Sequence, residues 1–371
     1  MKFNLAFALA IALMLSACAS SRKGGAPAGE GASLQTQAPL ASRGPVDVSG
    51  IKAILSRTGG PRALPLTASG ENSDPSFAPD GEHVLYLSRE RVLHKNGQDY
   101  ELALKSRLER RVTYHDGEDS TPSYRPDGGR VLYASTTDEI KEDPNSIRGL
   151  RERYGTGARA GAPPESRLGP YEIYLAKVDG GEIRRLSSSE GYDSEGRFDP
   201  QGRRIAFAST RGTRSERTQI YLMRADGGAA HPALRSFDDD GSPVFSADGK
   251  RIAFVRRALD SAVAHIYVLE LRSGARPHAL TTVPATNLSP SWSPNGREIL
   301  YASNRADGRT FDIWSSSTDG ACAKRITDAE GSETQPSLSA DGSRLLFSGD
   351  QSGHKQIYLM PYSAPASCLS D

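Results

Sequence analysis

The chain has 371 residues, with 46 Lys and Arg against 45 Asp and Glu and a formal charge of +1. That balance excludes a strongly electrostatic nucleic-acid binder, and 37% hydrophobic residues exclude a polytopic membrane protein. Three cysteines exclude a disulfide scaffold and a four-cysteine zinc site, while 37 Gly and 23 Pro point to many turns.

The first element is an address. Lys2 and the apolar run over residues 5–15 read as a secretion signal spanning residues 1–17, too short for an ordinary spanning helix. It ends in Leu15-Ser-Ala-Cys18, which resembles a bacterial lipobox. The resemblance implies that Cys18 becomes the lipidated first residue of the mature protein. Three acyl chains, at about 0.8 kcal/mol per buried methylene, make a stable anchor. Ala19 follows rather than Asp, which by similarity to lipoproteins of Gram-negative bacteria implies the outer membrane, facing the periplasm. Residues 18–60 are rich in Ala, Ser, Gly and Pro without apolar period, a flexible tether spanning roughly 35 Å on average.

From residue 61 to the end the chain repeats. Six segments align: Pro75-Ser-Phe-Ala-Pro-Asp-Gly81, Pro122-Ser-Tyr-Arg-Pro-Asp-Gly128, Gly196-Arg-Phe-Asp-Pro-Gln-Gly202, Pro243-Val-Phe-Ser-Ala-Asp-Gly249, Pro290-Ser-Trp-Ser-Pro-Asn-Gly296 and Pro336-Ser-Leu-Ser-Ala-Asp-Gly342. Their final glycines are 47, 74, 47, 47 and 46 residues apart. Each is followed by an apolar run such as Val84-Leu-Tyr-Leu87 or Ile205-Ala-Phe-Ala208. A third run follows, read as Tyr100-Glu-Leu-Ala-Leu104 in the first unit and Glu172-Ile-Tyr-Leu175 in the second. A fourth short polar strand follows, such as Lys324-Arg-Ile-Thr327. Four short strands per unit predict an all-β fold, a six-bladed β-propeller of four-stranded blades. The Asp-Gly and Asn-Gly pairs supply the positive φ of the hairpin turns. The aromatics at the third motif position (Phe77, Tyr124, Phe198, Phe245, Trp292) read as core between blades.

The motif Pro290-Ser-Trp-Ser-Pro-Asn-Gly296, with Asp312-Ile-Trp314 and Thr318-Asp-Gly320 behind it, resembles the PD40 repeat of the TolB-like propellers. The resemblance covers residues 62–371. It implies a non-enzymatic, cell-envelope propeller that holds a protein partner; in that family the partner is a peptidoglycan-associated lipoprotein. The chain departs from the family pattern in having a tether where the family has an α/β domain, and in carrying the lipobox. The sixth unit lacks its fourth strand, and Arg62-Ala-Leu-Pro-Leu-Thr67 matches that strand ahead of the first unit. Pairing it with the last blade closes the ring and removes an exposed edge.

Strand order then sorts the loops. The Asp-Gly turns share one face; the loops between second and third strands and the connections between blades share the other, around the channel mouth. These connections carry Glu71, Asp74, Glu118, Asp119, Asp193, Glu195, Asp239, Asp240, Asn287 and Glu333, so the expected binding site is an acidic channel mouth attracting cations or a basic segment of a partner. The competing reading is that these acids bond backbone amides in tight turns. The 74-residue spacing places an insertion of about 27 residues (138–169) on the same face, where binding loops collect. His94, His115 and His354 fall there too, too scattered to predict a metal site.

No Gly-x-Ser-x-Gly, His-Glu-x-x-His, phosphate loop or dinucleotide fingerprint occurs, so no catalytic residue and no cofactor is expected. The alternative, a propeller hydrolase or lyase, would use paired carboxylates at the mouth. The expected partners are an envelope protein and the membrane through the lipid anchor, with no nucleic acid and the chain itself a monomer. Cys322 and Cys368 are left in the folded part; a disulfide between them and two free thiols both remain open.

Overall fold

The computed structural model describes residues 63–137, 171–189, 191–212 and 217–365. The predicted signal, Cys18, the tether, the insertion at 138–169 and Cys368 lie outside the described residues.

Six four-stranded antiparallel sheets form, five running outward in sequence order from an innermost strand and the sixth taking its outermost strand from the start of the propeller. The innermost strands are Glu71–Phe77, Asp119–Tyr124, Asp193–Phe198, Asp239–Phe245, Asn287–Trp292 and Glu333–Leu338 in blades 1 to 6. The motif glycines Gly81, Gly128, Gly202, Gly249, Gly296 and Gly342 turn the chain into the second strand with φ between 64° and 73°, where a Cβ is disfavoured. The second strands are the apolar runs of the sequence and are buried on both faces: Val84, Leu85, Tyr86 and Ile205, Ala206, Phe207 are all fully covered. The third strands differ from the sequence reading by two residues in blade 1. Gln98, Asp99 and Tyr100 stand where Glu172, Ile173 and Tyr174 stand in blade 2, because Tyr86 pairs with Tyr100 as Tyr133 pairs with Tyr174.

Closure follows the expectation. Leu64–Pro65 is the outer strand of the last blade, with Leu64 opposite Leu359 and Pro65 opposite Tyr358. Leu66 N–H donates to the Ile357 carbonyl at 2.7 Å, and Ile357 N–H to Thr67 Oγ1 at 3.0 Å. Leu66 and Phe77 pack on a core shared by blades 1 and 6, formed by Val84, Tyr86, Leu102, Leu346 and Ile357.

Adjacent blades are joined by one hydrogen bond repeated around the ring. An amide at the start of each inner strand, its first or second residue, donates to the carbonyl just before the third strand of the preceding blade. The pairs are Asn72 to Lys355, Asp119 to Gly97, Asp193 to Tyr171, Asp240 to Thr218, Asn287 to Ala264 and Glu333 to Phe311, at 2.6–3.0 Å. Between blades the motif aromatics are covered by arginines, as expected of core residues: Arg344 over Phe77 at 5.3 Å, Arg125 over Phe198 at 6.0 Å, Arg204 over Phe245 at 5.3 Å and Arg251 over Trp292 at 4.6 Å.

Candidate functional site at the channel mouth

The inner strands build the channel wall through one repeated irregularity. Each loses register with its second strand at the same place, between Ser73 and Ser76 in blade 1 and between Ser194 and Arg197 in blade 3. The residue at the bulge adopts positive φ, between 50° and 59°, in all six blades: Asp74, Thr121, Glu195, Ser242, Ser289 and Gln335. None is glycine, so each position costs on the order of 1 kcal/mol of backbone strain. These six half-buried polar residues make a ring around the channel. Three joints of the ring are stitched by the same bond, a bulge amide donating to the side-chain oxygen of the preceding blade's ring residue. Asp74 N–H meets Gln335 Oε1 at 3.1 Å, Glu195 N–H meets Thr121 Oγ1 at 3.2 Å, and Ser242 N–H meets Glu195 Oε2 at 2.6 Å. The walls around Glu195 strip water from its carboxyl and hold its pKa above the usual range.

The ten residues expected at the mouth divide into two groups. Glu71, Asp74, Glu118, Glu195 and Asp239 are partly accessible. Asp119, Asp193, Asp240, Asn287 and Glu333 are buried, at most 2% exposed, and are not available to a ligand. Their side chains work inside the blades instead. Thr113 Oγ1 donates to Asp119 at 2.6 Å, Ser209 Oγ to Asp193 at 2.5 Å, and Asn287 Nδ2 to the carbonyls of Ala264 and Ala285 at 3.0 and 2.8 Å. Arg256 grips Asp240 with two bonds of 2.7 and 2.8 Å. Burial pushes the Glu333 carboxyl up to about 7.

Nor is the mouth a ring of uncompensated acid. Of the accessible acids, Glu118 meets Arg89 at 2.5 Å and Asp239 meets Arg257 at 2.8 Å, arginines at the ends of the second strands, while Glu71 bonds the His354 ring at 2.7 Å. Asp193 likewise pairs with Arg211. The three histidines are separated by their partners: His94 bonds Tyr100, His115 faces Asp119 at 3.2 Å, and His354 takes Glu71. Among the described residues no group of His, Cys, Asp and Glu is arranged to hold a metal ion.

Two features escaped the sequence reading. The first is Asp99, fully buried in the third strand of blade 1 with no hydrogen-bond partner on either carboxyl oxygen among the described residues. The other five blades place Ile173, Ile220, Ile266, Ile313 and Ile357 there. The lone Asp in a column of Ile was visible in the sequence once the third strands were aligned on their aromatic residue. Burial raises the Asp99 carboxyl well above its ordinary range, and the neighbouring Asp119 raises it further. Burial raises Asp119 as well. The second feature is the distribution of exposed large apolar side chains. Of the eight among the described residues, Val92, Leu93, Tyr114, Phe237, Leu259 and Val283 all belong to loops of the channel-mouth face. Leu108 and Ile183 belong to the opposite face. Val92 and Leu93 stand at the tip of one loop, 100% and 89% exposed.

Comparison with known proteins agrees with this architecture. The family model described as the TolB beta propeller domain (PD40) matches residues 162–258 and 234–367. The chain is 30% identical over 92 residues to an uncharacterized peptidase, YuxL, of Bacillus subtilis, a stretch covering 24% of this chain and 13% of that one. Among solved structures it is similar to TolB from Acinetobacter baumannii, at 23% identity and a TM-score of 0.58 over 73% of this chain and 58% of that chain. It is also similar to an oligogalacturonate lyase in complex with manganese, at 14% identity and a TM-score of 0.54 over 83% and 94% of the two chains. The chain thus spans a small part of the peptidase and less than two thirds of TolB, and the structural likenesses are likenesses of fold.

Proposed function

Because the chain belongs to the TolB beta propeller domain family, we propose that it is a non-enzymatic binding module of the cell envelope that holds a protein partner on its channel-mouth face. The carrying observation is the apolar distribution: among the described residues, six of the eight exposed large hydrophobics lie in loops of that one face. Exposed apolar side chains gathered on one side of a molecule mark interaction surfaces. The mouth ion pairs supply a polar surround of the kind that fixes orientation more than affinity. A catalytic reading is disfavoured because the carboxylates it would employ are buried inside blades, closed into ion pairs or, for Asp74 and Glu195, held by neutral donors. The lipid on Cys18 and the tether of residues 18–60 hold the propeller at the outer membrane, facing the periplasm.

Site-specific photocrosslinkers test the docking face. Probes at Val92, Leu93 and Phe237 are expected to give a discrete adduct in intact envelopes, while probes at Leu108 and Ile183 give none. Adducts of equal yield from both faces, or none from the mouth face, would reject the reading.

A further inference from the structure

The channel holds charge that the ring does not neutralise. Arg197 lies on the inner strand of blade 3, half-buried between the buried Gly196 and Phe198. The register of the other inner strands puts Ser76, Ser123, Val244, Ser291 and Ser337 at the same level. Arg197 is therefore the single charged side chain of that ring. It donates through Nη1 to the carbonyl oxygens of Thr121 and Gly196, both at 2.9 Å. Its other edge, Nε and Nη2, has no partner among the described residues, and no carboxylate closes an ion pair with it.

A second cation stands nearer the mouth. Lys355 precedes the third strand of blade 6, at a place filled by Gly97, Tyr171, Thr218, Ala264 and Phe311 in the other blades. Its backbone makes the closing bond to blade 1, while its ammonium has no hydrogen bond or ion pair among the described residues. The surrounding walls strip water from both groups and pull both pKa values down, and the field of Asp74 acts on both. Asp74 is already committed, accepting from Gln335 Nε2 at 2.7 Å and from Ser73 Oγ at 2.8 Å. Glu195, two residues from Arg197, accepts from Ser242 N–H and Oγ at 2.6 and 3.3 Å. Asp350 and Glu71 also act on Lys355, but Asp350 accepts from Ser332 N–H and Glu71 bonds His354 and the Lys355 backbone N–H, so among the described residues no acid closes on either cationic side chain.

We infer that the channel is a binding site for a carboxylate ligand. Its carboxylate seats side-on against the Nε–Nη2 edge of Arg197, the two-bond geometry in which a guanidinium recognises an acid most strongly. Lys355 supplies a second positive charge on the way in. Desolvated cations favour an incoming anion, because the attraction is strongest where water is already excluded. The side chain that enters is acidic, the opposite of the basic segment expected from an acidic mouth. The site is independent of the docking face above. Its ligand is either a free small acid or an acidic peptide segment, and the two sources are separable.

The test uses the purified full chain and calorimetric titration with two probes, succinate and a tri-glutamate peptide, with tri-glutamine as the uncharged control. Binding of succinate identifies a free-acid site; binding of tri-glutamate alone identifies a segment site. In either case Arg197→Ser is expected to weaken binding by about tenfold or more, Lys355→Gln by a smaller factor, and added salt to weaken both. Arg197→Gln, of similar length, serves if the serine variant melts early. The proposal is overturned if neither acidic probe exceeds tri-glutamine at about 10 mM, or if a folded Arg197 variant binds as well as the parent. In the latter case Arg197 is only a strut between Thr121 and Gly196.

Discussion

Replacing Asp99 by Ile is expected to stabilise the propeller, although it removes an ionisable group next to the channel mouth. The carboxyl is fully buried, neither oxygen has a hydrogen-bond partner among the described residues, and Asp119 lies in its field. An unsatisfied buried polar group costs about 1–3 kcal/mol, and burying an Ile side chain instead gains about 1.5–3 kcal/mol. Some of that gain is lost to fitting the extra volume, so a net of about 2–4 kcal/mol is the expected outcome. The neighbourhood is built to accept Ile, since five blades already bury one there with no exposed surface. The backbone bond from Asp99 N–H to Thr113 Oγ1, 2.9 Å, does not involve the side chain and survives the change. With an unfolding entropy of about 2 cal/mol/K per residue, a ring of this size gains roughly 3–6 °C in Tm. The effect must depend on pH. The folded state raises the Asp99 pKa, so it holds a proton that the unfolded chain releases near pH 4. The Asp99 contribution is therefore most favourable below that pH and is lost as pH rises toward the folded pKa, a loss the Ile variant does not share. Thermal melts of parent, Asp99→Ile and Asp99→Asn from pH 4 to 8 decide the matter. An Ile variant no more stable than the parent at pH 7, or a gap that does not widen with pH, would refute the reasoning.

Removing the chain through Gly70 deletes the outer strand of blade 6 and the Leu66 and Thr67 contacts, and should lower stability by about 3 kcal/mol or more in denaturant melts. Glu333→Gln should flatten the fall in stability between about pH 4.5 and 7, because the parent carboxyl is held protonated up to about 7. Cys322 is disulfide-bonded; peptide mapping of unreduced mature protein is expected to recover it linked to Cys368, and a freely alkylated Cys322 would contradict this. Cys18→Ser should leave an unlipidated, folded protein in the soluble fraction; recovery of acylated variant in membranes would reject the lipobox.

The sequence by itself determined the architecture, since each blade is a local pattern. A motif ending in glycine sets the first turn, an apolar run follows it, and an aromatic centres the third strand. All recur at nearly constant spacing, and six copies in register leave one topology. Even the seam was legible, because a strand missing from the sixth unit was present before the first. The chemistry of the channel was not, for a different physical reason. Which acid is free depends on what stands opposite it in space. Arg89 reaches Glu118 across a blade boundary, and Arg256 reaches Asp240 within one sheet. A sequence shows both charges and not the distance between them. The acidic residues therefore read as a ring, while the tertiary structure buries half of them and pairs much of the rest. Among the described residues it also isolates Asp99 from any hydrogen-bond donor and leaves Arg197 and Lys355 without a counter-ion. Burial and pairing across blades decide which charges are left over for a ligand, and only the closed ring brings those blades together.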